Sequence, residues 1–281
     1  MKDPRSICRW PVRWLSVSSL AVALTALSPQ AFSQVVNLTS GNSALTINAS
    51  GPGAGMNNWS VDGFNTLGLQ WFWYRSGGMT SERSIDALSG PTITPTSLHQ
   101  TRITYADSSF SVSVDYNLNG QSPGSGLSTL SEVISIRNLT STTQTFSFFQ
   151  YSDFNLGGPP GDSVLIGKDN HGLFGDALQV NGPIRLVESS VVPGANHAEA
   201  SLFPNTLNSL NDGSITTLND TTSAGPGNAT WAFEWDITLN PGASFGLSKT
   251  LDVQVPEPSI AALLGVGTVL YAIRRRNAKR A

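Results

Sequence analysis

Apolar side chains in this chain recur at every second residue, and that period decides its fold class. Phe110, Val112, Val114, Tyr116 and Leu118 alternate with Ser111, Ser113, Asp115 and Asn117. Successive residues of a strand point to opposite faces, so the pattern describes a strand with one face buried and one wet. Trp231, Phe233, Trp235, Ile237 and Leu239 alternate in the same way with Ala232, Glu234, Asp236 and Thr238. Phe245, Leu247, Leu251 and Val253 repeat the device after a short break, with Lys249 alone interrupting the series. Between the two ends of the chain, no segment keeps helical apolar spacing for three turns.

Asn240-Pro241-Gly242 stands between the last two series. Proline supplies a fixed φ and glycine a positive one, the pair a type II turn requires. Residues 230–253 are therefore expected to form a hairpin. Further strands are expected at 69–74, 100–105, 133–137, 145–151, 164–166, 178–180 and 184–187. Many short strands punctuated by Gly, Pro and Asn imply two packed sheets, an all-β sandwich of jelly-roll or immunoglobulin-like kind. The polar strand faces would be intolerable in lipid, which excludes a membrane barrel. The stretches 120–126, 157–161 and 224–228 read as loops within one domain spanning 34–255, since none separates halves of different composition.

The net charge of −3 hides an uneven distribution. Residues 35–255 carry seven Lys or Arg against seventeen Asp or Glu, whereas both ends are basic. So acidic a body is a poor partner for phosphate backbones, which excludes nucleic acid. The single cysteine, Cys8, lies in the basic N-terminal segment, so the body has no internal disulfide. A body of this length has room for a sufficient core without one.

Each end reads as an address. Basic residues within 2–13, an apolar stretch over 15–27 and the small-residue site Ala31-Phe32-Ser33 form a secretory signal peptide, with cleavage expected between Ser33 and Gln34. At the other end Val255-Pro256-Glu257-Pro258-Ser259 precedes an apolar run over 260–273 and then Arg274, Arg275 and Arg276. Fourteen residues of helix rise about 21 Å, short of a hydrocarbon core of about 30 Å. Gly265, Gly267, Val266 and Val269 nevertheless make a poor soluble helix, Pro258 and Ser259 extend the segment, and the arginines can snorkel. A single transmembrane helix over 259–273 is expected, with the three arginines as the topological stop in the cytoplasm and the body across the inner membrane. The two prolines bias the tripeptide toward an exposed, extended strand that a protease can read.

This C-terminal segment, residues 256–281, resembles the PEP-CTERM sorting signal of Gram-negative bacteria, with Pro256, Glu257 and Pro258 as its signature. The resemblance covers about a tenth of the chain. It implies an exosortase as partner, a multi-spanning membrane cysteine protease or transpeptidase, in bacteria that export exopolysaccharide and build biofilm. It further implies a transient inner-membrane anchor with the body in the periplasm, followed by the cell surface or the extracellular matrix. The aromatic stretches 70–75 and 148–154 look similar to segments of exported PEP-CTERM proteins of undefined activity.

Candidate chemistry in the body is sparse. Trp71 and Trp73 share one face of a strand and could stack on a glycan, although a strand buried on both faces explains them equally. Gly161-Asp162-Ser163-Val164 is similar to the nucleophile block of GDSL-type hydrolases, but that family is α/β with its block at the start of the domain, so Ser163 is expected to be dispensable. His99, His171 and His197 occur singly, without metal spacing. Asp162, Asp169 and Asp176 flank a glycine-containing loop that matches no EF-hand. Six Asn-X-Ser/Thr sequons, beginning at Asn37, follow from composition. The expected function is therefore noncatalytic and cofactor-free: an exosortase-sorted surface or matrix protein associated with exopolysaccharide. An exported carbohydrate-active enzyme or a periplasmic glycan-binding module is the alternative; the enzyme reading calls for convergent carboxylates, with Glu132, Glu188 or Glu234 paired, or for a nucleophile and base in one cleft.

Overall fold

The computed structural model describes residues 34–157 and 161–256. Strands β1 (Val35–Ser40), β2 (Ser43–Asn48), β3 (Gly55–Val61), β4 (Phe64–Asn65), β5 (Leu67–Ser76) and β6 (Arg83–Ser84) open a first sheet. Strands β7 (Thr92–Pro95), β8 (Gln100–Ala106), β9 (Phe110–Gly120) and β10 (Leu127–Asn138) open a second. The chain returns to the first sheet with β11 (Gln144–Phe154), and then adds β12 (Asp162–Lys168), β13 (Phe174–Asn181) and β14 (Ile184–Val192) to the second. Strand β15 (His197–Leu202) joins the first sheet and is followed by a one-turn helix, α1 (Asn205–Ser209). Of the last three strands, β16 (Ser223–Gly227) and β18 (Ser244–Gln254) belong to the second sheet and β17 (Ala229–Leu239) to the first.

The result is an all-β sandwich of two antiparallel sheets. The first has the order β1-β2-β3-β5-β11-β17-β15, with β4 and β6 attached at β3 and β5; the second runs β16-β12-β13-β14-β18-β10-β9-β8-β7. Each sheet has nine strands. That is about twice the strand count of an immunoglobulin-like or eight-stranded jelly-roll sandwich, so those expectations describe the layering and not the extent. Aromatic rings fill the space between the sheets. Phe72 stacks on Phe148 at 5.6 Å and Phe154 on Trp231 at 5.5 Å, while Tyr74 meets Phe110 of the opposite sheet edge-on at 5.1 Å. Such rings bury large apolar areas and add directional ring contacts.

The hairpin expected over 230–253 does not form. Its turn is present: Ala243 N–H donates to Asn240 O at 3.0 Å, and Gly242 has φ +71°. The strands that it joins nevertheless belong to different sheets, β17 pairing with β11 and β15, and β18 with β10 and β14. Asn138 holds this corner between the layers. Its Nδ2 donates to Leu239 O at 3.0 Å and its backbone N–H to Ala243 O at 3.0 Å. β18 makes eleven register pairs with β10, and β17 makes ten with β11.

The first and last described strands are extended by backbone hydrogen bonds. Ala49 N–H donates to Gln34 O at 2.7 Å, and Val255 N–H to Gly126 O at 2.8 Å, after which Pro256 is exposed. The expected signal peptide up to Ser33, Glu257, Pro258, the membrane segment and Arg274, Arg275 and Arg276 lie outside the described residues. Among the described residues, no helix is long and apolar enough to cross a membrane.

Candidate functional site

Three neighbouring strands of the first sheet carry polar groups on both faces. Gln70, Gln150 and Trp231 reach across to carboxylates of the second sheet. Side chains of opposite parity on the same strands, Arg75, Ser147, Glu234 and Asp236, therefore stand on the outer face. Register places Arg75, Ser147 and Asp236 in one row across β5, β11 and β17, and puts His197 opposite Glu234.

The row is connected. Arg75 Nη2 donates to Ser147 Oγ at 2.8 Å, and Ser147 Oγ donates to Asp236 Oδ1 at 2.8 Å. His197 Nε2 lies 4.0 Å from Asp236 Oδ2, while its Nδ1 is 3.1 Å from Asp220 Oδ1. Arg75 is itself held by Glu82 at 2.6 Å and by Thr216 O at 2.8 Å. A pocket of about 270 Å³ opens beside the row, lined by Arg75, Met79, Thr145, Ser147 and Asp236 among others. The row is mostly buried at Arg75, 16% exposed, is buried at Ser147, and opens at Asp236, 52% exposed.

The segment after α1 covers the rest of this face. Asn211 Oδ1 accepts from Trp73 Nε1 at 3.2 Å, Thr216 N–H donates to Glu82 Oε1 at 3.0 Å, and Leu218 N–H donates to Glu234 Oε2 at 2.9 Å. Burial pushes the Glu234 carboxyl up to about 7, against the lowering effect of the Leu218 N–H; Asp236 raises it further, and His197 and Arg75 lower it. The covered part of the face thus holds a carboxyl that titrates near neutrality. The open part presents a carboxylate, an imidazole and a guanidinium edge, groups that hydrogen-bond hydroxyls in a fixed orientation.

The residues singled out in the sequence fare differently. Trp71 and Trp73 are 1% and 4% exposed, with Trp71 Nε1 donating to Ser84 Oγ at 2.8 Å and the Trp73 ring edge-on to Tyr151. Neither ring has an open face for stacking, because β5 is central in its sheet and covered on its outer side. Ser163 lies opposite Val180 on β12, and among the described residues no hydrogen bond joins it to a base. Asp169 caps a turn by accepting from the N–H groups of His171 and Leu173 at 2.8 and 3.0 Å. Among the described residues, no three His, Cys, Asp or Glu side chains gather to hold a metal.

Glu132 and Glu188 do converge, on Lys249, but in the sealed space between the sheets and not in a cleft; all three side chains are 0% exposed. Glu234 stands apart from them on the outer face. Sequence reasoning passed over Arg75, Ser147 and Asp236. The one available signal was the acidic pair Glu234 and Asp236 on the wet face of an otherwise apolar strand.

Comparison with known proteins bears on both parts of the chain. Residues 254–276 carry the PEP-CTERM protein-sorting motif. It begins at the last residue of β18, so the motif follows the sandwich with no linker. The motif implies an exosortase as processing partner, and export with transient anchoring through the C-terminal region. No curated protein matches the chain.

Solved structures share the fold of the body. A putative aldose 1-epimerase of Escherichia coli K12 is 12% identical with a TM-score of 0.54, over 79% of this chain and 99% of that one. A galactose mutarotase-like protein of Lactobacillus casei is 10% identical with a TM-score of 0.52, over 79% and 100%. A bacterial glucoamylase complexed with acarbose is 11% identical with a TM-score of 0.56, over 85% of this chain and 36% of that one. At such identities the likeness is one of fold.

Proposed function

We propose that this chain is an exported, noncatalytic surface or matrix protein whose sandwich holds an exopolysaccharide on the outer face of the first sheet. Its leader, residues 1–33, directs export; its segment 259–273 anchors it in the inner membrane with the body in the periplasm; exosortase then processes it at Pro256, Glu257 and Pro258. The observation that carries the glycan reading is the connected row Arg75, Ser147 and Asp236 beside an open pocket. The sugar-processing proteins named above place a similar fold in carbohydrate chemistry, which supports the reading without supplying a residue. Glu234, the carboxyl best tuned for proton transfer, lies beneath Leu218 at 1% exposure, which favours binding over turnover.

Calorimetric titration of the purified body with oligosaccharides from the host's own exopolysaccharide tests the binding. Asp236→Asn and His197→Ala each weaken it roughly tenfold, about 1.4 kcal/mol; unchanged affinity in both removes the glycan from this face. Sorting is tested in parallel, since Glu257→Ala leaves the chain unprocessed in the inner membrane of an exosortase-positive host. Equal maturation with and without exosortase sinks that half of the reading. One observation favours a catalytic alternative, the nearly neutral Glu234 carboxyl opposite His197. Polarimetry of anomer exchange in simple aldoses distinguishes the two, as only an enzyme accelerates it.

A further inference from the structure

Lys249 is the one interruption of an apolar strand series, and it points inward. It is the register partner of Glu132 on β10, and its Nζ contacts a Glu132 carboxylate oxygen and lies 3.2 Å from Glu188 Oε1. Glu188 stands opposite Leu251, two residues further along β18. The face of the Phe72 ring lies 5.7 Å from Nζ. The three side chains are wholly enclosed between the sheets.

One ammonium and two carboxylates in such a place are an awkward set of charges. Taking ions out of water is expensive, and one cation cannot neutralise two anions. Glu188 is nonetheless well held: Gln150 Nε2 lies 2.8 Å from each of its oxygens, and Trp231 Nε1 donates to Oε2 at 2.8 Å. Glu132 is held less well. Its Oε2 accepts from Gln70 Nε2 at 3.2 Å, whereas Oε1 has no hydrogen-bond partner. Burial pushes the Glu132 carboxyl up, against Lys249, toward the protonated acid.

We propose that Lys249 and Glu132 are a self-modification site, at which an amide bond closes between Nζ and the Glu132 carboxyl carbon with Glu188 as proton carrier. A proton first passes from the ammonium to Glu132, giving a neutral amine beside a neutral acid. The nitrogen attacks the carboxyl carbon, Glu188 takes a proton from nitrogen, and one Glu132 oxygen leaves as water on receiving that proton back. Lysine and carboxylic acid become amide and water; Glu188 ends as the carboxylate it began as, and no oxidant or cofactor is consumed. The net charge of the cluster is −1 before and after, carried at the end by the one carboxylate that already has three donated hydrogen-bond contacts. The product N–H faces Glu188 and the product carbonyl faces Gln70. The bond joins β10 to β18, a covalent staple in a body that has no cysteine.

The test is peptide mass spectrometry of the full chain purified from an exporting host. In the wild type, trypsin fails to cut after Lys249, and the peptide containing it is joined to the peptide containing Glu132, lighter than their sum by the mass of one water. Fragmentation places the link at Glu132. The Glu188→Gln variant, which keeps the shape but cannot carry the proton, yields the two linear peptides and normal cleavage after Lys249. Linear peptides from the wild type overturn the proposal, as does a link that maps to Glu188. Because the decisive measurement is on the wild type, a variant that fails to fold leaves the test intact.

Discussion

The polar cluster between the sheets and the polar row on the outer face are assembled on the same three strands, β5, β11 and β17, and they differ in what stands above them. Inward, Gln70, Gln150 and Trp231 meet Glu132, Glu188 and Lys249 of the second sheet, and the set is sealed. Outward, the covering segment meets Arg75 at Thr216 O, while Ser147 and Asp236 line the open pocket. Polar groups on the same strands are therefore sealed from solvent on one face and reach it at Asp236 on the other.

The largest expected effect comes from removing the interior lysine. Lys249→Met deletes the nitrogen of the proposed amide and leaves Glu132 and Glu188 as two buried carboxyls with neither link nor counter-ion, and urea unfolding should show a loss of at least about 3–5 kcal/mol. A loss under about 1 kcal/mol would mean that the interior set is no more constrained than the outer one. Arg75→Met should cost less, roughly 2–3 kcal/mol, because its side chain is partly exposed and Glu82 keeps the Thr216 N–H. Hydrogen exchange at Thr216 and Leu218 should rise in that variant while β10 and β18 stay protected.

The third prediction concerns pH. Glu234 titrates at about 7 when folded, against an ordinary value of 4.5. Between those values the folded protein holds a proton that the unfolded chain has released, so stability falls as pH rises through that window. Glu234→Gln should remove roughly 2–3 kcal/mol of that decline by pH 8 and change little at pH 4. Asp153 and Asp162, both pushed up by burial to about 6, should leave a residual decline of the same sign that is complete at lower pH than the Glu234 part. A profile identical to wild type would place Glu234 in open solvent and erase the distinction between the covered and open parts of the face. The smallest effect belongs to Arg102 and Asp115, a two-contact pair on exposed neighbouring strands. Arg102→Ala should cost under about 1 kcal/mol and less in high salt, as measured by thermal unfolding.

How much of this was legible differs from residue to residue. The period-two series at 110–118 and 231–239 are strands as expected, and the turn at Asn240-Pro241-Gly242 has the positive φ at Gly242 that its sequence demands. Lys249 was visible as an interruption, yet nothing near it in sequence names Glu132 and Glu188 as its partners. His197 looked like an isolated histidine because Glu234 and Asp236 reach it only through the pairing of β15 with β17. Trp71 and Trp73 offered an aromatic platform on paper, and a segment some 140 residues away covers it.

What the sequence determined by itself is what short-range physics controls. Alternation sets strand character, proline and glycine set the turn, and a contiguous run of signature, apolar span and arginines sets the sorting address. Each depends on residues within a few positions of one another, or within one continuous segment. The tertiary structure alone decided which sheet each strand joins, and with it which polar groups are sealed and which are open. The corner at 240–243 shows why. A turn reverses the chain at the cost of a few dihedral angles, but the partner of each strand is chosen by the apolar area that the two faces can bury, a quantity that exists only once both sheets are in place.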